Sequence, residues 1–212
     1  MNKSPVEFMS MHPSGKMILA LYQNRVLRLW NLMEARCQFK RKVGLVDEDE
    51  EDVVESKKDE DYGEEHGEDE MSELKADLTI KDLNEIDRKP IAVKWEQSKG
   101  QVFVILYRRM IEVFDMTTPG AGDKPCTRTI LDFKATSFDF ASDSALVVSD
   151  ERGNLITISN ITDPETISMR INRTKFTRVK DIQAFEGLFL AAIVHEEGEG
   201  KLVIWNIDEL MR

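Results

Sequence analysis

Short bursts of alternating and continuous apolar residues recur along the chain in the same order. Val6–Met11 alternates, His12–Lys16 is a polar turn with Pro13 and Gly15, and Met17–Tyr22 is a solid apolar run. Gln23-Asn24-Arg25 makes a tight connection, and Val26–Asn31 alternates again, ending in Trp30-Asn31. The order returns at Ile91–Trp95, Gln101–Tyr107 and Met110–Met116, then at Ala135–Phe140, Ala145–Ser149 and Asn154–Ile161. A fourth set comprises Arg178–Phe185, Leu188–Val194 and Lys201–Ile207. Period-two alternation marks strands with one buried face, and continuous apolar runs mark strands buried on both.

Each set carries a marker dipeptide near the end of its third strand: Trp30-Asn31, Phe114-Asp115, Ser159-Asn160 and Trp205-Asn206. The last two intervals are 45 and 46 residues, whereas the first is 84 and contains an insertion. Several short strands per unit of roughly 40–45 residues are the pattern of a β-propeller blade. Such a unit cannot bury both faces alone, so blades must stack. Fourth strands are expected at Cys37–Val43, Thr127–Phe133 and Thr166–Asn172, and Asp208–Arg212 is too short for another. The fold expected is all-β, with about four blades at 1–43, 89–134, 135–174 and 175–212, the last lacking its outer strand. Residues 44–88 form the insertion. The spacing also predicts an open half-propeller rather than a compact four-bladed ring, with exposed faces at both ends that favour association or another polypeptide. This fits a fragment of a longer protein.

The net charge of −11 is unevenly spread. Asp47–Glu70 holds 15 acidic residues against Lys57 and Lys58, which leaves the rest of the chain at +2. Such a block cannot collapse and is expected to be disordered. The acidic tract, led by Asp47, Glu48, Asp49, Glu50, Glu51 and Asp52, is either a solvated insertion or a docking tail for basic partners. Histones are one class of such basic partner. Ser56, with Asp59 three residues on, suits an acid-directed kinase. Beyond the tract, Leu74, Leu78, Leu83 and Ile86 give a loose helical stripe over Met71–Asp87, with Ser72 as its cap.

A basic cluster, Arg170, Arg173, Lys175, Arg178 and Lys180, surrounds Phe176. It reads either as solvated edge charge or as a patch for phosphate contacts. Alternation puts Arg178 and Lys180 on one face, opposite Val179 and Asp181. Asp181 therefore counts, with Trp30 and Trp205, as structural, and both tryptophans are expected to be buried between strands.

Catalysis finds little support. His12 sits in a turn, His66 in the acidic tract and His195 at a strand end, and no Ser/His/Asp or Cys/His set assembles. Gly198–Lys201 lacks the upstream glycine of a phosphate loop and reads as a hairpin turn. Cys37 and Cys126 are the only thiols and form no metal motif, so a reducing compartment is expected. No metal, cofactor, small-molecule substrate or membrane segment is expected.

The stretches "MSMHPSGKMILALYQNRVLRLWNLMEAR", "IAVKWEQSKGQVFVILYRRMIEVFDM" and "TRVKDIQAF" resemble the WD40-repeat superfamily. More narrowly they resemble the PAK-interacting, MAK-type WD-repeat proteins of ribosome biogenesis, over the C-terminal half of that family's usual length. The resemblance implies a non-catalytic scaffold for large ribosomal subunit assembly and pre-rRNA processing in the nucleolus, with ribosome assembly factors or ribosomal proteins as partners and an indirect or weak pre-rRNA contact. A second implied role restrains a PAK-type kinase. The alternatives are a cytosolic signalling scaffold or an enzyme at a propeller channel. Lys175 stands where the family tends to carry His, and Asn24 where it often has Asp, so the family's buried Asp–His–Ser/Thr–Trp network is incomplete here.

Overall fold

The computed structural model describes residues 4–44, 80–117, 124–196 and 198–212. The acidic tract, Leu74 and Leu78 lie outside the described residues. Fifteen strands form four antiparallel sheets, each meandering outward in chain order. The first blade is β1 (Val6–Met11), β2 (Met17–Tyr22), β3 (Val26–Asn31) and β4 (Arg36–Lys42). The second is β5 (Pro90–Trp95), β6 (Val102–Tyr107), β7 (Met110–Asp115) and β8 (Thr127–Ile130). The third is β9 (Ala135–Ser142), β10 (Ala145–Asp150), β11 (Leu155–Ser159) and β12 (Ser168–Asn172). The fourth has three strands, β13 (Arg178–Phe185), β14 (Phe189–Glu196) and β15 (Glu199–Asn206), and leads into a short helix, α1 (Ile207–Met211).

The polar member of the marker dipeptide explains the recurring exit from the third strand. Asn31 Oδ1 accepts from the amides of Met33 (2.9 Å) and Glu34 (3.1 Å). Asp115 Oδ1 accepts from Thr117 N, and Asn206 Oδ1 from Asp208 N (2.8 Å). These are side-chain turns that mimic a backbone turn. Gly153, at φ 82°, permits a different close approach: a Cβ there would overlap the carbonyl oxygen of Phe176, where the chain crosses to the fourth blade. Only glycine takes this conformation without strain.

Three apolar cores lie between consecutive blades. Leu19, Leu21, Leu27 and Leu29 meet Trp95, Phe103, Ile105 and Phe114 between the first and second. Val104, Leu106, Ile111 and Val113 meet Phe138, Leu146, Ile156 and Ile158 between the second and third. Val147 and Leu155 meet Val179, Ile182, Leu190 and Val194 between the third and fourth. The inner strands contact one another in succession, β1 to β5 to β9 to β13, and the sheets do not close into a ring.

Several expectations need correction. Trp30 and Trp205 are half-buried, and the fully covered tryptophan is Trp95, 1% exposed. The register supplies the reason. Phe114, Ile158 and Trp205 each face the preceding blade, and Trp30 holds the equivalent place on the face of the first blade turned away from the second. The third-blade equivalent is thus Ile158, one residue before the Ser159-Asn160 pair. Asp181 does not share the buried face of Val179. It is exposed, at φ 50°, in a β-bulge between Lys180 and Gln183 that breaks the alternation. The described part of the Met71–Asp87 stripe is a single 3-10 turn at Ile80–Asp82, with Leu83 in the first core and Ile86 exposed. The outer strands β8 and β12 are shorter than expected, and of the 198–201 segment only Gly198 lies in the turn, since Glu199, Gly200 and Lys201 already open β15 and pair with Glu196, His195 and Val194.

Candidate interaction surfaces

Inner strands line the concave side of the arc, and their side chains fasten each blade to the next. Ser10 Oγ on β1 accepts from Trp95 N on β5 at 2.9 Å. Ser137 Oγ and Asp139 Oδ2 on β9 accept from Ile182 N (3.2 Å) and Ala184 N (2.9 Å) on β13. These two bonds straddle the bulge region and set its register. Lys94 on β5 pairs with Asp139 at 3.3 Å and donates to the Ile182 carbonyl at 3.2 Å, so it reaches the fourth blade past the third. His12 Nε2 lies 2.9 Å from the Gly100 carbonyl, and its ring meets Trp95 edge-on. This channel wall is therefore occupied by structural bonds.

Polar groups also cluster between the second and third blades. Glu96, Lys99, Gln101, Asp115, Asp143 and Thr162 line a groove of ≈ 330 Å³. Burial raises the Glu96 carboxyl, but hydrogen bonds from Ser98 and from the Lys99 and Gly100 amides outweigh it and hold the group below its ordinary range. Lys99 pairs with Asp143, which lowers the Asp143 carboxyl. Deeper in the second blade, Glu112 is 1% exposed; its Oε1 accepts from Arg128 Nε at 3.0 Å and lies 3.0 Å from Nη2 of the same guanidinium, and its Oε2 accepts from Tyr107 Oη. Burial, then the Glu112 charge, push the Tyr107 hydroxyl well above its usual value. Each of these carboxylates already has its donors. Among the described residues no group of three or more His, Cys, Asp or Glu could hold a metal ion.

The open surfaces lie at the ends of the arc. On the fourth blade, Ile193, Leu202 (70% exposed) and Ile204 (63%) point away from the third. Cross-strand pairing sets Lys180 beside Ile193 and Arg178 beside His195 on this same face. On the first blade, Met9 (64% exposed), Met11, Ile18 and Trp30 form the face turned from the second. Arg28 sits among them, its guanidinium 4.9 Å from the Tyr22 ring centre and 5.9 Å from that of Trp30. Exposed contiguous apolar surface of this kind marks an interaction site.

The five basic residues read from the sequence do not share one surface. Arg170 lies on β12, the outermost strand of the third blade, and Arg173 and Lys175 lie in the crossing segment. Arg178 and Lys180 lie on β13, the innermost strand of the fourth. Lys175 is engaged by Glu196 at 3.0 Å, which Lys201 also contacts at 3.1 Å. Arg28, Tyr22 and the two methionines drew no notice in the sequence, because an exposed face cannot be told from a covered one until the blade order is known.

No family model matches the chain. It is 22% identical over 208 residues to "p21-activated protein kinase-interacting protein 1-like" of Gallus gallus, covering 98% of this chain and 42% of that protein. Among solved structures it matches the β-propeller domain of Cps50 (Swd1) from Myceliophteria thermophila with a TM-score of 0.62 and 8% identity, over 99% of this chain and 54% of that one. The chain thus spans less than half of that relative and about half of that propeller. It carries, among the described residues, four blades of a β-propeller fold in an open arc and is distantly similar to a protein named as kinase-interacting.

Proposed function

We propose that the chain is a non-catalytic scaffold that holds protein partners on its open blade faces in nucleolar assembly of the large ribosomal subunit. The observation that carries this reading is the pair of exposed apolar faces at the ends of the arc, each edged with basic residues, beside a channel wall whose polar groups are already engaged. Basic rims suit acidic assembly factors and permit weak pre-rRNA contact. The ribosomal assignment follows from the family resemblance of the Met9–Arg36 and Ile91–Met116 stretches. Gradient sedimentation of a cell extract tests it. The protein is expected to travel with large pre-ribosomal particles and to concentrate in the nucleolus. Sedimentation only at the top of the gradient, with a cytoplasmic location, would favour the signalling alternative.

The name of the Gallus gallus protein favours a second reading, contact with a p21-activated kinase. Purified chain should then lower the activity of such a kinase in a dose-dependent manner. Unchanged phosphorylation at saturating chain would remove this reading.

A further inference from the structure

The blades can be compared position by position, because the chain repeats its own register. Arg28 pairs with Ala20 across the first blade, as Glu112 pairs with Ile105, Ile156 with Val148 and Val203 with Ala192 in the other three. Glu112, Ile156 and Val203 face the preceding blade, and Arg28 holds the same place on the face of the first blade turned away from the second. The first two blades match further. Tyr22 and Tyr107 end their second strands, and Lys40 and Arg128 stand directly across from Arg28 and Glu112 on the outer strands. The second blade therefore holds Tyr–Glu–Arg, with the carboxylate receiving the guanidinium on one oxygen and the phenol on the other. The first blade holds Tyr–Arg–Lys, with two cations opposite each other and no carboxylate.

Like charges directly opposite on a sheet are unfavourable, and a partly buried guanidinium without an acceptor is costly. Arg28 is half-buried, its Nε is shielded from solvent, and among the described residues it makes no hydrogen bond or ion pair. Tyr22 and Trp30 hold its planar head in place by cation–π contact. Around it lie Met9, Met11, Ile18 and Trp30, and Met, Trp, Tyr and Arg are the residue types that interfaces favour.

We infer that the open face of the first blade is a docking site for an acidic peptide segment of a partner protein. A Glu or Asp side chain of the partner takes the place beside Arg28 and Lys40 that Glu112 fills in the second blade. Flanking apolar side chains of the partner cover Met9, Met11, Ile18 and Trp30. This deepens the scaffold reading and rests on it only for the existence of a partner.

The test is fluorescence anisotropy on the full chain, with a short labelled peptide alternating Glu and Leu and a second alternating Lys and Leu. The acidic peptide is expected to bind, with affinity falling as salt rises, and the basic one not to bind. Arg28→Ala should weaken binding about 10- to 100-fold, the worth of a charge-assisted hydrogen bond, and Arg28→Lys less. Arg178→Ala, on the fourth blade, should leave it unchanged. Equal binding of both peptides, or undiminished binding to an Arg28→Ala protein with a native melting profile, would overturn the inference. Binding that appears only after deletion of residues 47–70 would give the face to this chain's own acidic segment and also overturn it. Failure of either kind leaves the sedimentation test of the scaffold reading intact.

Discussion

Replacing Trp95 by Ala measures how much the covered interface between the first two blades contributes, against the open face that Trp30 occupies. Trp95 is fully buried, meets His12 edge-on at 4.9 Å and Phe103 at 5.1 Å, and sits among Leu and Phe side chains from both blades. Truncation of such a residue costs about 3–5 kcal/mol. One feature works the other way, because Trp95 Nε1 is buried without an acceptor. Removing that donor relieves about 1–3 kcal/mol of desolvation cost, so the net loss falls near the lower end, about 3 kcal/mol. Trp95→Phe keeps an aromatic ring and removes the orphan donor, and should cost about 1 kcal/mol or less by the same reasoning. Trp30→Ala exposes little that is not already half-exposed and should cost about 1 kcal/mol, with Trp205→Ala between the two. Denaturant unfolding followed by far-ultraviolet circular dichroism compares all four without depending on the fluorophore. A Trp30→Ala loss equal to that of Trp95→Ala would refute the assignment of covered and open faces.

Asp139→Ala removes the acceptor for Ala184 N and the partner of Lys94, and should cost about 2 kcal/mol while loosening the fourth blade first, seen as faster amide exchange in β13 and β14. Gly153→Ala adds a Cβ against the Phe176 carbonyl at φ 82° and should lower the melting midpoint by more than the Gly15→Ala change, whose Cβ meets open space. Glu96 has its folded carboxyl held below the ordinary 4.5, so its contribution is fully present above that pH and is lost as pH falls through the folded value. The stability advantage of the wild type over Glu96→Gln should therefore shrink below pH 4.5, and a constant difference through acid would refute the hydrogen-bonded carboxylate.

Local pattern made the strand order legible, because each strand's own residues decide whether it is apolar on one face or two. Val102–Tyr107 reads as a doubly buried strand and is one, with Val104, Ile105, Leu106 and Tyr107 fully enclosed. Leu188–Val194 reads the same way and is not, since Ile193 is exposed on the face turned away from the third blade. The marker dipeptides were visible for a local reason, the side-chain turns of Asn31, Asp115 and Asn206, but their aromatic members take burial from the neighbouring blade. Alternation failed at Asp181 because Ser137 and Asp139, more than forty residues away, fix Ile182 and Ala184 in register. In the described part of the Leu83 stripe, Ile80 and Leu83 reach the first core around a single 3-10 turn, because apolar residues three positions apart suit one turn as well as a longer helix.

The candidate site was illegible for a related reason. Arg28 in "VLRLWN" is unremarkable as sequence, an arginine between apolar neighbours on an alternating strand. Its meaning comes from comparison with the other blades, where the same place holds Glu112, Ile156 and Val203. Ile156 is enclosed by a neighbouring blade and carries no charge, and Glu112 is enclosed only because Arg128 and Tyr107 satisfy it. A covered position thus tolerates either an apolar side chain or a charge with its counter-charge. Arg28 meets neither condition, with Lys40 opposite and aromatic rings on its flanks. A plain blade stacked on this face would bury an uncompensated cation. The surface therefore discriminates against apolar occupants and selects one that brings a carboxylate, which is how a blade face becomes specific without acquiring a pocket.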